Sequence, residues 1–151
     1  INAAKKLKIN HTLHEYSHDV AVESFGLEAV EKLNVAPERV FKTLIVLLDN
    51  NELVAGIIPV PKKLSLKLIA KAMGEKKAVM ADKLSVERTT GYVLGGVSPL
   101  GQKKRLKSVI DASAMQFETI FVSAGRRGLE IELSPKDLVM LTSSVVANIA
   151  Q

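Results

Sequence analysis

Apolar positions along the chain fall into short runs separated by turn-forming residues, and few of those runs are long enough to be anything but strands or two-to-three-turn helices. Ala3, Ala4 and Leu7, interspersed with Lys5, Lys6 and Lys8, read as the end of an amphipathic helix that stops around Asn10. From His11 to His18 a loose alternation predicts a strand with His14, Tyr16 and His18 on one face and Leu13 on the other. Leu27, Val30 and Leu33 recur at helical spacing between Ser24 and Val35, and Pro37 closes that segment. Val40 to Leu48 is a dense β-branched and aliphatic run, Asp49-Asn50-Asn51 is a turn cluster, and Leu53 to Val60 is a second apolar run, which together predict a hairpin. Leu66, Ile69 and Met73 give a helix with Ser65 as its N-cap and Gly74 as its stop. Lys62, Lys63, Lys67, Lys71, Lys76 and Lys77 surround it and read as a solvated face.

Further on, short strands are expected at Ala78 to Met80, Tyr92 to Leu94, Lys107 to Ile110 and Thr119 to Ser123, with helical pieces from Asp82 to Thr90 and near Ser113 to Phe117. Leu129, Ile131 and Leu133 alternate with Glu130 and Glu132 as a half-buried strand should, and Ser134-Pro135-Lys136-Asp137 starts a helix continued by Leu138 and Leu141. Strands outnumber helices and most successive strands are close enough for hairpins, so the class is α+β. No Pro-, Gly- or Ser-rich or like-charged tract interrupts the pattern, and residues 1–151 are read as one domain.

The 47% apolar content suits a packed globule, and no apolar run approaches the ~20 residues of a bilayer span. There is no cysteine, hence no thiol nucleophile, thiolate metal site or disulfide framework, and no signal-peptide pattern, so the expected compartment is the cytoplasm. A net charge of +5 favours an anionic partner. Scarce aromatics, four Phe and two Tyr without Trp, argue against a multi-aromatic stacking platform for single strands.

Several stretches could carry chemistry. Gly95, Gly96 and Gly101 around Ser98-Pro99 suit either a loop that brings bare backbone N–H groups to a ligand or a tight turn between strands. The loop lacks the ending of a phosphate-binding P-loop and the order of a dinucleotide fingerprint. Lys42 interrupts an otherwise apolar strand start and must pair, snorkel or meet a ligand. His11, His14 and His18 are not expected to form a metal site, because an extended segment points His11 away from the other two. Ser98, His14 and Asp19 could be named as a hydrolase triad, but their spacing does not demand one. Glu130 and Glu132 point the same way and are expected on the solvent side of a half-buried sheet, not as a glycosidase pair. The basic segment Lys103 to Lys107, with Arg126 and Arg127, suits phosphate contacts or a solvated charge run equally well.

Four stretches together go beyond generic patterning: His14-Glu15-Tyr16-Ser17-His18-Asp19, Phe41-Lys42-Thr43-Leu44, the run from Thr90-Gly91-Tyr92 through Gly95-Gly96-Val97-Ser98-Pro99-Leu100-Gly101 to Gln102-Lys103-Lys104-Arg105, and Gly125-Arg126-Arg127-Gly128-Leu129. They closely resemble the YbaK family of free-standing Cys-tRNA(Pro) deacylases, related to the editing domain inserted in bacterial prolyl-tRNA synthetases, over essentially the whole chain. The resemblance implies a mixed, largely antiparallel curved sheet or barrel-like core with surrounding helices. It also implies trans-editing hydrolysis of the ester joining cysteine to the 3′ end of tRNA(Pro), with no cofactor or metal. An Ala-tRNA(Pro) deacylase and a non-catalytic tRNA- or synthetase-binding module are the alternatives. Lys42 stands at the family's essential lysine, and Gly95 and Gly96 at the loop whose backbone donors meet developing charge. Tyr16, Phe25, Thr43, Ser98, Pro99, Gly101, Ser123 and Glu130 match substrate-pocket positions, with Glu130 where the family typically has Asp and Ala124 where a second Gly is common. Lys103, Lys104, Arg105, Arg126 and Arg127 would line the tRNA. The implied partners are the aminoacylated end of tRNA and prolyl-tRNA synthetase, with no membrane.

Overall fold

The computed structural model describes residues 11–15, 33–81, 106–123 and 129–151. Two sheets carry the fold. Strands β2 (Phe41–Leu48) and β3 (Leu53–Pro59) form the expected antiparallel hairpin, in register from Phe41 opposite Pro59 to Leu47 opposite Leu53. The turn between them is closed by the Asn51 amide donating to the Leu48 carbonyl at 2.9 Å, with Asn51 itself at φ 68°, a conformation asparagine tolerates better than most residues. Strand β4 (Ala78–Met80) pairs antiparallel with β2, while β5 (Lys107–Asp111) and β8 (Val145–Ala147) add in parallel beyond β3, giving the order β4-β2-β3-β5-β8. The second sheet has three antiparallel strands in the order β1-β7-β6: β1 (His11–Glu15), β7 (Leu129–Leu133) and β6 (Ile120–Ser123).

The mixed α+β class is as expected, and the chain forms a single domain with two described helices. Closure into a barrel is not: among the described residues the two sheets remain separate ladders joined by one parallel bridge between Val40 and Phe121. The two parallel pairs make the larger sheet mixed, as the resemblance implies. Strand β8 follows Ser143, which turns at φ 52°, and at three residues it is too short to leave an alternation signal.

Strand parity sorts the core. Phe41, Ile57 and Ile110 on one face of the larger sheet meet Ile120, Val122, Ile131 and Leu133 of the smaller one, with Leu138 of helix α2 (Pro135–Thr142) closing that layer. Val46, Val54, Ile58 and Val109 on the opposite face pack under Ile69 of helix α1 (Leu66–Ala72) and against Ile149. Ser65 caps α1 by accepting from the Leu68 amide at 3.2 Å, and Gly74, at φ 73°, ends it. Ile69 is fully buried, and removing such a side chain from water contributes roughly 1.5–3 kcal/mol. Gly56 lets α1 approach this closely: a Cβ there would lie 3.0 Å from Ile69 Cδ1 and 3.2 Å from Leu64 Cδ1.

Candidate active site

Lys42 is placed by its neighbours. In β2 it lies opposite Ile58, so alternation puts it on the α1 side of the sheet together with Leu44 and Val46. The side chain is half-buried, and that burial lowers its pKa below the ordinary lysine value of 10.5. No described residue pairs with its ammonium group.

The Val40–Phe121 bridge decides what stands beside Lys42. It sets the start of β2 parallel to β6 at that point, and two residues past it on each strand stand Lys42 and Ser123, with the same parity as Val40 and Phe121. Ser123 is in turn opposite Glu130 on β7, and Glu130 is opposite His14 on β1. Ser123, Glu130 and His14 thus form one row across three strands, on the face that carries Phe121, and Lys42 stands on the adjoining edge of β2, two residues past the bridge. Thr43, one residue on, has the opposite parity and shares its face with Ile57 in the layer between the sheets.

Glu130 corrects the expectation of two solvent-facing carboxylates. It is only 5% exposed, accepts no hydrogen bond from a described residue, and burial pushes its pKa up to about 8. At neutral pH it is a buried carboxylic acid, able to donate a hydrogen bond or, on meeting a cation, to ionise. Glu132, one pleat along the same face, is held in the other state. The Thr119 hydroxyl donates to its Oε2 at 2.5 Å, His14 Nε2 lies 2.9 Å from Oε1, and Arg39 Nη2 lies 3.3 Å from Oε2. Those partners, the Thr119 bond foremost, hold its carboxyl below the usual value against the opposing effect of partial burial.

Arg39 also donates to the Thr119 carbonyl at 3.2 Å and to its hydroxyl at 2.5 Å, and its guanidinium lies 5.0 Å from the centre of the Phe121 ring. His14 packs on the same ring at 5.2 Å between centroids. Arg39, Thr119, Phe121 and Glu132 together fix His14 at the end of the row. Sequence patterning misses this support because Arg39 and Thr119 are 80 residues apart and Arg39 and Glu132 are 93 apart, with no local spacing to link them.

Of the other expected site residues, Tyr16, Phe25, Gly95, Gly96, Ser98, Pro99, Gly101, Lys103, Lys104, Arg105, Arg126 and Arg127 lie outside the described residues. Among the described residues there is no cluster of His, Asp or Glu arranged to hold a metal ion, and no helix long and apolar enough to cross a membrane. A cavity of about 470 Å³ beside Asp111, Ser113 and Asn148 includes none of the row. The Asp111 carboxylate is occupied there in clasping the C-terminal strand region through the amides of Ile149 and Ala150, at 2.9 and 3.0 Å.

A sequence profile described as the aminoacyl-tRNA editing domain matches residues 22–141, which takes in Lys42, Ser123 and Glu130. The chain belongs to the aminoacyl-tRNA editing domain family. Its activity class is that of an aminoacyl-tRNA deacylase, a hydrolase. The Enterococcus faecalis protein named "Putative Cys-tRNA(Pro)/Cys-tRNA(Cys) deacylase EbsC" is 39% identical over 136 residues, covering 89% of this chain and 83% of that protein. A crystal structure of hypothetical protein APE2540 superposes with a TM-score of 0.89 at 27% identity, covering 99% of this chain and 97% of that one. The fold recurs at 19% identity and a TM-score of 0.82 in "a putative trans-editing enzyme for prolyl tRNA synthetase", over 93% of this chain and 87% of that one.

Proposed function

We propose that this editing domain deacylates Cys-tRNA(Pro) in trans, with the substrate's own thiol as the nucleophile. The observation that carries the reading is the meeting of the two sheet edges: a partly desolvated ammonium, Lys42, two residues past the bridge on one side, and Ser123 paired with the buried acid Glu130 on the other. In the proposed reaction the cysteinyl sulfur attacks its own carbonyl carbon. A C–S bond forms, the ester C–O bond to the terminal ribose breaks, and the thiol proton leaves with the ribose hydroxyl. The resulting thiolactone is then opened by water to free cysteine. Lys42 supplies fixed positive charge to the carbonyl oxygen or to the terminal phosphate, where partial desolvation makes it count for more than in water. The resemblance assigns backbone donors of Gly95 and Gly96 to the same developing charge, and Tyr16, Phe25, Ser98, Pro99, Gly101 and Ser123 to the pocket wall. Glu130 ionises on meeting the substrate's α-ammonium and holds it. Thr43, turned to the opposite face, supports Lys42 from behind.

Selection is then chemical. Alanine has no internal nucleophile and serine a much weaker one, so both enter the pocket without reacting at a comparable rate. The test is release of free tRNA from Cys-tRNA(Pro), Ala-tRNA(Pro) and Ser-tRNA(Pro) by wild type and Lys42→Ala. Cysteine-selective loss that falls roughly a hundredfold or more in Lys42→Ala is expected. Equal loss of the alanyl ester would replace the substrate, and binding without any loss would make the chain a non-catalytic module. We also propose that prolyl-tRNA synthetase supplies the selection for tRNA(Pro), so that adding it should sharpen discrimination among cysteinylated tRNAs.

A further inference from the structure

From sequence the lysines that surround α1 read as a solvated face, and the fold gives them a more specific setting. From Leu53 to Gly74 the chain contains no acidic residue. Lys63, Lys67 and Lys71 all lie in this stretch, all are exposed, and among the described residues no carboxylate is ion-paired with any of their ammonium groups. Lys67 and Lys71 are one helical turn apart on the outer side of α1, away from the buried Ile69 and Ala70. The acids of this region gather elsewhere, at the β2–β3 turn, where Asn50 Nδ2 bonds both Glu52 and Glu75 at 3.1 and 2.9 Å. Lys77 sits against that acidic turn, its carbonyl accepting from the Asp49 amide at 3.1 Å.

The second observation is position. α1 rests on the same sheet face as Lys42: Ile69 lies over Gly56, which is opposite Leu44, and Lys42 is two residues from Leu44, about 7 Å along the strand. A ligand whose reacting end is at Lys42 and whose body is a polyanion therefore meets, in α1 and the turn before it, a stretch that carries lysines and no acid. A surface serving solubility alone intersperses both signs, whereas a single-sign field attracts and orients a charged partner.

We infer that Lys63, Lys67 and Lys71 form a phosphate-binding track for the helical RNA that leads to the acylated 3′ end, so that α1 docks the body of the substrate while Lys42 receives its terminus. Helical RNA is recognised mainly through its phosphates and shape, which exposed lysines on a short rigid helix suit. The inference rests on the reading of the chain as an enzyme of aminoacyl-tRNA, and its test is arranged to fail separately from that reading.

Binding of uncharged tRNA, which needs no hydrolysis, would be followed by fluorescence anisotropy from 50 to 300 mM salt for wild type, Lys67→Glu/Lys71→Glu and the milder Lys67→Gln/Lys71→Gln. Circular dichroism and thermal melting would establish that each variant is folded. Loss of two phosphate contacts should weaken binding by roughly tenfold or more at low salt and reduce the slope of log K against log salt by about two. Lys76→Glu/Lys77→Glu, made beside the acidic turn, serves as a control of equal net charge and should bind within about twofold of wild type. Unchanged affinity and slope in the Lys67/Lys71 variants would overturn the inference, as would an equal loss in the control, since net charge alone would then explain the binding. Wild type that deacylates without salt-dependent tRNA binding would overturn it too, and would leave the catalytic reading intact.

Discussion

Glu130 offers the most quantitative consequence of this architecture. Its carboxyl passes from an ordinary value of 4.5 in the unfolded chain to about 8 in the fold, driven by burial. Between those two values the folded state holds a proton that the unfolded state releases, so stability falls as pH rises through this window. Each unit of separation corresponds to about 1.4 kcal/mol, which makes the penalty roughly 0.8 kcal/mol at pH 5 and roughly 3.4 kcal/mol at pH 7. Glu130→Gln keeps the shape and cannot ionise. Whatever fixed cost or gain the amide carries, the difference in unfolding free energy between variant and wild type should shift in the variant's favour by about 2.5 kcal/mol from pH 5 to pH 7. Urea denaturation of both proteins at pH 5, 6, 7 and 8 measures this, and taking the difference cancels every other titrating group. A flat difference across the series would show that Glu130 is ionised and paired in the fold, and the reasoning from burial would be refuted. The same variant should lose affinity for an aminoacyl ester with a free α-amine while retaining it for an N-acylated one.

Other consequences are open to measurement. In the proposed reaction Lys42 works as the ammonium, and burial lowers its pKa, so kcat/KM for ester cleavage should fall on the alkaline side at a pH below 10.5, and in Lys42→Arg any residual activity should persist to higher pH. Gly56→Ala forces Ile69 or Leu64 to give way and should cost about 1–3 kcal/mol in chemical denaturation, with Ile69→Val in the same chain recovering part of that loss. Glu132→Gln, which leaves Thr119, Arg39 and His14 with a neutral partner, should cost roughly 1–2 kcal/mol at pH 7. Because the Glu132 carboxyl is held low in the fold, that difference should shrink as pH falls through the acid range.

Much of this was legible in the residues, and where it was not the reason is physical. The β2–β3 hairpin, the Ser65 cap and the Gly74 stop were written in local chemistry, and each occurs where the spacing put it. Lys42 could be singled out because a cation inside an apolar strand has few places to go. Glu130 could not, because the alternation of Leu129 to Leu133 marks which residues share a face and says nothing about whether that face is covered. The assembly around Glu132 and the parallel placement of β5 and β8 depend on contacts between distant segments, which leave no periodic trace. Motif resemblance reached the site by another route, since it compares whole constellations.

The seam between the sheets has a consequence for proofreading itself. Lys42 belongs to one sheet, Ser123 and Glu130 to the other, and the Val40–Phe121 bridge brings their edges together. Neither ladder alone contains all three residues, so a nascent or partly unfolded chain holds the pieces without bringing them together. An enzyme that cuts esters must spare the far larger pool of correctly charged tRNA, and on the proposed reading its hydrolytic centre is complete only once both sheets have docked, which leaves no half-built intermediate with indiscriminate activity.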